Sequence, residues 1–214
     1  MSYAVKEIFL TLQGEGVKAG RRAVFARFTG CNLWSGLEKD RTTAVCKFCD
    51  TDFVGMDGEG GGRFPDAAAF ADAIAAKWGN GREDRFVVLT GGEPMLQVDS
   101  ALIDALHAAG FEIAIESNGT LAVPRSIDWI CISPKAGSET VQRSGDELKL
   151  VWPQSGSDWK AMQEWDFTNH LLQPMDARLD EETSKQNLAE AIAFVQENPK
   201  WRLSLQTHKI LGLA

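Results

Sequence analysis

Seven short runs of apolar, β-favouring residues punctuate this chain: Ala23–Phe28, Phe86–Thr90, Glu112–Glu116, Trp129–Ser133, Leu148–Trp152, His170–Gln173 and Arg202–Gln206. Most are continuously apolar rather than alternating, which predicts strands buried on both faces, as in a parallel sheet. Between them the spacing changes to the helical period. Phe70, Ile74 and Trp78 fall at i, i+4, i+8 behind Pro65-Asp66; Leu102 and Leu106 repeat behind Asp99; Leu188, Ile192 and Val195 repeat behind Thr183. Each set predicts a helix opened by a side chain that accepts from free backbone N–H groups. Other connections, such as Asn118 to Asp128, are too short for a full helix. With fewer crossover helices than strands, the pattern predicts a single α/β domain over residues 1–214, a mostly parallel sheet forming an open or partly closed barrel.

In parallel α/β folds, function gathers at the carboxyl ends of the strands. Four predicted strands end in unusual polar segments: Thr90-Gly91-Gly92-Glu93-Pro94, Glu116-Ser117-Asn118-Gly119, Ser133-Pro134-Lys135 and Gln173-Pro174-Met175-Asp176. One alone reads as a turn, because Gly, Pro, Asn and Asp favour turns. Four at the same end of one sheet call for a site. Gly55–Gly62 has neither the G-x-G-x-x-G spacing nor a Walker lysine, and reads as a flexible turn rather than a phosphate cradle.

Three of the four cysteines, Cys31, Cys46 and Cys49, crowd into the loop over residues 29–52, after the first predicted strand. Three thiolates without an obvious fourth suggest a 4Fe–4S cluster that leaves one iron open to a small molecule. Structural zinc would need a fourth ligand from Cys131, His107, His170 or His208, none near the loop in sequence. Cys131, between Ile130 and Ile132, reads as a small buried hydrophobe. A disulfide pair is the other reading of the loop. Cysteines are sparse, however, and no charged segment followed by an apolar one opens the chain, so the expected compartment is the reducing cytoplasm.

Composition narrows the partners. At 214 residues with 44% hydrophobic content, the chain suffices for one well-cored domain. No apolar run approaches the roughly 20 residues that span a bilayer. The net charge of −8 argues against nucleic acid, whose phosphates call for lysine and arginine. A small-molecule substrate fits better.

The cysteine loop with Gly91-Gly92-Glu93 resembles the radical S-adenosylmethionine (SAM) superfamily. Leu12-Gln13-Gly14-Glu15-Gly16, Arg27, Cys49-Asp50-Thr51, Thr90–Pro94, Glu116–Gly119, Ser133–Lys135, Gln173-Pro174 and Gln206-Thr207-His208-Lys209 together resemble the 7-carboxy-7-deazaguanine synthase family, nearly from end to end. The superfamily commonly spaces its cysteines C-x3-C-x2-C. Here fourteen residues separate Cys31 from Cys46, and Ser35 stands where the short pattern has its second cysteine; the family includes a long-spacing variant. Lengthening the loop from about four to about fifteen residues costs roughly 1.2 kcal/mol of closure entropy, small beside thiolate–iron bonds. The inserted Gly36–Val45, with Glu38, Lys39, Asp40 and Arg41, reads as a solvated face or as a docking surface for a reductase.

The resemblance implies an open radical SAM barrel with reduced helix content and a cluster held by Cys31, Cys46 and Cys49. It further implies SAM contacts from Phe48, Cys49, Asp50, Gly92, Glu93, Ser133, Pro134, Lys135, Gln173, Pro174, Met175 and Asp176, with no catalytic side chain because the radical arises from cluster and SAM. Glu93 has a bland alternative as a solvated turn carboxylate. The implied reaction converts 6-carboxy-5,6,7,8-tetrahydropterin to 7-carboxy-7-deazaguanine with loss of ammonia, on the route to queuosine and related deazapurines. Leu12, Gln13, Gly14, Glu15, Thr90, Glu116 and Asn118 supply donors and acceptors for the pterin. Arg27 would grip the substrate carboxylate in two hydrogen bonds, or else pair with a nearby acid. His208 and the terminal carboxylate of Ala214, in a tail over residues 207–214, would close the pocket or pack as an ordinary tail. The family also implies Mg²⁺ on Thr51, a hard oxygen ligand of the kind that ion prefers, a flavodoxin-type electron donor and a homodimer. Two rivals stand beside this reading: a glycyl-radical activating enzyme, and a non-catalytic metal-stabilised binding module.

Overall fold

The computed structural model describes residues 1–177 and 180–213. Its strands are β1 (Tyr3–Leu12), β2 (Arg22–Phe28), β3 (Gly62–Phe64), β4 (Phe86–Gly91), β5 (Glu112–Ser117), β6 (Trp129–Ile132), β7 (Ser144–Trp152), β8 (Asp166–Pro174) and β9 (Trp201–Leu203). The helices are α1 (Ala67–Trp78), α2 (Ser100–Ala108), α3 (Trp159–Met162), α4 (Glu181–Glu197) and α5 (Thr207–Leu211). One sheet holds all nine strands in the order β3-β1-β2-β4-β5-β6-β7-β8-β9. From β2 onward the pairings are parallel, while β1 runs antiparallel to both β2 and β3. The sheet is not closed, which bears out the open barrel.

The continuous apolar runs behave as their lack of alternation predicts: Phe86 to Leu89 is fully buried along β4. Helices α1 and α2 cover the β1–β5 end of the sheet, and α4 covers β8 and β9. Among the described residues no full helix covers the middle. There the short connection after β5 sends Val123 and Ile127 into the core instead.

Two strands are absent from the sequence reading. A register shift between Val5 and Glu7 breaks the alternation of β1, so its ten residues show neither period. β3, three residues long, follows the glycine-rich segment. That segment is not a free turn: Gly58 N donates to Lys6 O at 3.0 Å, Ile8 N to Glu59 O at 2.7 Å, and Lys6 Nζ to Val54 O at 2.8 Å, tying it along β1. β7 and β8 begin earlier than expected because their first residues are polar; Asp146 earns its place by accepting from Ile130 N at 2.8 Å.

Asp66 and Asp99 cap α1 and α2 as expected. α4 starts at Asp180, which accepts from Thr183 N at 3.0 Å, so Thr183 lies inside the first turn. Its inward face is Asn187, Leu188, Ala191, Phe194 and Val195, and Ile192 is exposed. Phe194 packs on Trp152, Trp159 and Trp201.

Candidate active site

A cavity of about 400 Å³ opens at the carboxyl ends of the parallel strands. It gathers Leu12, Gln13, Gly14, Glu15, Arg27, Cys31, Cys46, Phe48, Cys49, Asp50, Thr51, Thr90, Gly92, Glu116, Asn118, Ser133, Lys135, Gln173, Pro174, Met175, Asp176 and His208. Of the residues the sequence singled out, Glu93 and Pro134 are not among its lining, and Ala214 lies outside the described residues.

Glu93 is fully buried. Its Oε1 accepts from Met95 N at 2.9 Å and Ser117 Oγ at 2.8 Å, and its Oε2 from Asn118 N at 2.8 Å. It is therefore no solvated turn carboxylate but a clasp joining the end of β4 to the end of β5. Burial pushes its carboxyl up, against the opposing pull of those bonds. Gly92 is required by crowding: a Cβ there would stand 2.0 Å from Gly30 O and 3.0 Å from Cys31 Cβ. The glycine lets the cysteine loop close onto the sheet.

None of the three loop cysteines is in a disulfide among the described residues, and all three line the cavity. The Cys46 thiol bonds toward Cys49, which lowers Cys49 to about 6, while the same bond and burial push Cys46 up. Among the described residues, no three His, Cys, Asp or Glu side chains converge as for a single metal ion. A four-iron cube asks for something else: soft thiolates flanking a space larger than one ion. Three cysteines on one cavity wall, backed by Leu33, Trp34 and Phe53, fit that demand.

The inserted segment is more than a solvated face. It coils into a two-turn 3-10 helix, Glu38–Thr43. Ser35 Oγ, exposed, donates to Asp40 Oδ2 at 2.7 Å and does not line the cavity. Arg41 folds back over the Trp34 ring at 4.1 Å and donates from Nη1 to Lys47 O at 2.9 Å and Cys49 O at 3.1 Å, bracing the cysteine loop from outside.

Arg27 realises the ion-pair alternative in part: Nε donates to Glu7 Oε1 at 2.7 Å. Arg27 still lines the cavity, its side chain 20% exposed. The Asn118 amide is engaged by Asn32 and by Thr120. Lys135, beneath the cysteines, donates to Ser133 O and Oγ at 2.6 and 2.7 Å; burial pulls its ammonium down, partly offset by Cys46 and Cys49.

The tail folds over the opening as α5. Thr207 N and Oγ1 both donate to Gly14 O, and Lys209 bridges Asp50 at 2.7 Å and Asp176 at 2.6 Å. Gly14 admits this docking, since a Cβ would sit 2.2 Å from His208 Nδ1. The sequence reading missed Lys149 of β7 and quoted Gln206 only as part of the tail segment, without a role of its own. Lys149 carried a signal of the same kind as Arg27, a cation inside an apolar strand. Its Nζ lies 2.5 Å from Glu15 Oε2, and Gln206 Nε2 donates to Glu15 Oε1 at 2.8 Å. Burial alone would raise Glu15, but Lys149 and these bonds hold it down, to about 2. Cys131 is a buried thiol beside Glu147, away from the cavity.

The open parallel sheet and its three-cysteine cavity define a radical SAM fold. A crystal structure of QueE from Escherichia coli superposes with a TM-score of 0.68 at 26% identity, covering 97% of this chain and 95% of that one. No family model matches the chain. Relatives named 7-carboxy-7-deazaguanine synthase from Bradyrhizobium diazoefficiens and Caulobacter vibrioides are 60% and 58% identical, each over the whole of both chains. The chain belongs to the 7-carboxy-7-deazaguanine synthase family.

Proposed function

We propose that this enzyme converts 6-carboxy-5,6,7,8-tetrahydropterin to 7-carboxy-7-deazaguanine with loss of ammonia. The observation that carries the reading is one cavity lined by Cys31, Cys46 and Cys49 together with Arg27, Glu15 and Glu116. Cys31, Cys46 and Cys49 would hold the 4Fe–4S cluster. When bound, cluster and SAM supply a carbon radical that abstracts hydrogen; the protein supplies orientation and exclusion of water.

The chain's own residues divide the remaining work. Phe48, Cys49, Asp50, Gly92, Ser133, Lys135, Gln173, Pro174, Met175 and Asp176, which line the cavity, would contact SAM, with Glu93 and Pro134 supporting them from behind. Arg27, fixed by Glu7, offers its terminal N–H pair to the substrate carboxylate. Glu15 and Glu116 accept from the pterin's ring and amino N–H groups. The tail carrying His208 excludes water.

Mg²⁺ on Thr51, a flavodoxin-type donor, a homodimer and a cytoplasmic setting complete the reading. Thr51 lines the cavity beside the cysteine loop, and among the described residues no helix is long and apolar enough to cross a membrane. Thr51→Ala is expected to abolish the magnesium dependence of turnover; full turnover with an unchanged magnesium response would remove that role.

The decisive assay is anaerobic: reconstituted protein with SAM, dithionite, Mg²⁺ and 6-carboxytetrahydropterin, products followed by mass spectrometry. Product from the wild type, lost in Cys49→Ala, supports reaction and cluster together. 5′-Deoxyadenosine without the deazaguanine would overturn the substrate. A brown, cluster-loaded protein yielding neither would overturn the enzymatic reading.

A further inference from the structure

Two carboxylates face the cavity from different elements, Glu15 from the loop after β1 and Glu116 from the end of β5. Lys149 of β7 stands between them, 2.5 Å from Glu15 Oε2 and 3.7 Å from Glu116 Oε2, its own side chain 5% exposed. Each acid is fixed at its other oxygen by an amide. Gln206 Nε2 donates to Glu15 Oε1 at 2.8 Å, and Gln13 Nε2 donates to Glu116 Oε1 at 3.0 Å. Gln13 also accepts from Glu15 N at 3.0 Å, so three elements and the tail converge on one rigid constellation.

We propose that Lys149 is a positioning residue that holds Glu15 and Glu116 as a fixed pair of acceptors for the ring N–H donors of the substrate. It acts through these acids and does not itself touch the reacting atoms; the proposal rests on the synthase reading above. Two like charges beside one cavity repel, and without a cation between them one swings away or takes a proton. A protonated carboxyl presents a donor where an acceptor is needed, and it would face the substrate's own N–H.

The titratable neighbours are few. Glu15, Glu116, Glu147 and Cys131 face Lys149, and His208 faces Glu15. Burial disfavours the ammonium, but those surrounding groups hold it charged, well above the usual lysine range. Lys135, which also lines the cavity, is engaged by Ser133 and cannot replace it.

The test uses full-length reconstituted enzyme as wild type, Lys149→Met, Lys149→Arg, Glu15→Gln and Glu15→Gln/Lys149→Met. The double variant removes one charge of each sign and so avoids leaving Glu15 buried without its cation. Lys149→Met is expected to raise the KM for 6-carboxytetrahydropterin about tenfold or more, the scale of hydrogen bonds to a charged group. The acidic limb of kcat/KM should move up by about one pH unit as Glu15 loses its cation, while SAM cleavage continues with less product per 5′-deoxyadenosine. Lys149→Arg should restore most of the KM. In the Glu15→Gln background, Lys149→Met should add about threefold or less, because coupled residues are not additive. An unchanged KM and acidic limb, with only a lower melting temperature, would reduce Lys149 to a structural brace. So would full additivity in the double variant. Wild type that makes no deazaguanine takes down the synthase reading and this one with it; wild-type turnover beside an indifferent Lys149→Met takes down this one alone.

Discussion

Glu93 shows how a residue's chemistry is set by its surroundings rather than its type. In a Gly-Gly-Glu-Pro segment it reads as a SAM contact with a surface carboxylate as the alternative, and in the fold it is a buried acceptor of three hydrogen bonds. Removing it strands three donors at the junction of β4 and β5. Glu93→Ala is expected to lower unfolding stability by about 3 kcal/mol, and Glu93→Gln by less, since the amide oxygen still accepts; urea titration of the cluster-free protein measures both. Gly92 is constrained from the opposite direction, by space. Because the atoms its Cβ would strike are backbone, Gly92→Ala must displace the Cys31 loop. Its iron content after reconstitution should fall well below wild type, and wild-type iron loading with the same visible spectrum would contradict the close approach.

At the scale of elements, α5 is held by its contacts and not by its own propensity. Five residues are too few to form a stable isolated helix. Thr207 and Gln206 tie its start to the Gly14-Glu15 loop, and Lys209 clamps its middle to Asp50 of the cysteine loop and Asp176 after β8. The lysine is partly exposed, so the pairs contribute little to global stability. Lys209→Ala should change the unfolding free energy by no more than about 0.5 kcal/mol, while amide exchange over residues 207–213 becomes faster and the substrate KM rises. Unaltered exchange in that segment would show that Thr207 and Gln206 suffice.

Across the whole molecule, His170 links the core to pH. Between the rings of Phe167 and Trp201 it is buried, with Nε2 lacking a partner among the described residues. Burial, aided by the charge of Lys200, lowers its pKa below 6.5. The unfolded chain therefore binds this proton more readily than the folded one, and stability present above about pH 6.5 is lost as pH falls below it. Glu15 acts with the same sign lower down: its carboxyl, at about 2 when folded against 4.5, gives stability that is lost as pH drops below about 4.5. Melting temperatures should fall from pH 6.5 to 5, and His170→Phe should flatten that first decline while leaving the second. An equal decline in both proteins would assign the first phase to other groups.

Much of this molecule follows from local pattern. Six of the runs became strands, and of the seventh only Arg202 and Leu203 did, because a sheet buried on both faces demands unbroken apolar sequence; the polar strand ends met in one cavity because parallel strands place their carboxyl ends together. The cysteine loop and Arg27 stood out because thiolates and a buried cation are chemically costly to keep without a use. What the sequence could not reveal depends on partners distant along the chain. β1 escaped because its bulge is meaningful only against β2; Glu93's burial depends on the backbone of β5, Arg41's brace on the Cys49 carbonyl, and the engagement of Arg27 on Glu7 across two antiparallel strands. Lys149 is the clearest case: its charge is written in the sequence, but its place between Glu15 and Glu116 exists only once β7, β5 and the loop after β1 share a cavity, because Coulombic and hydrogen-bond energies depend on distance in space and not on separation in sequence.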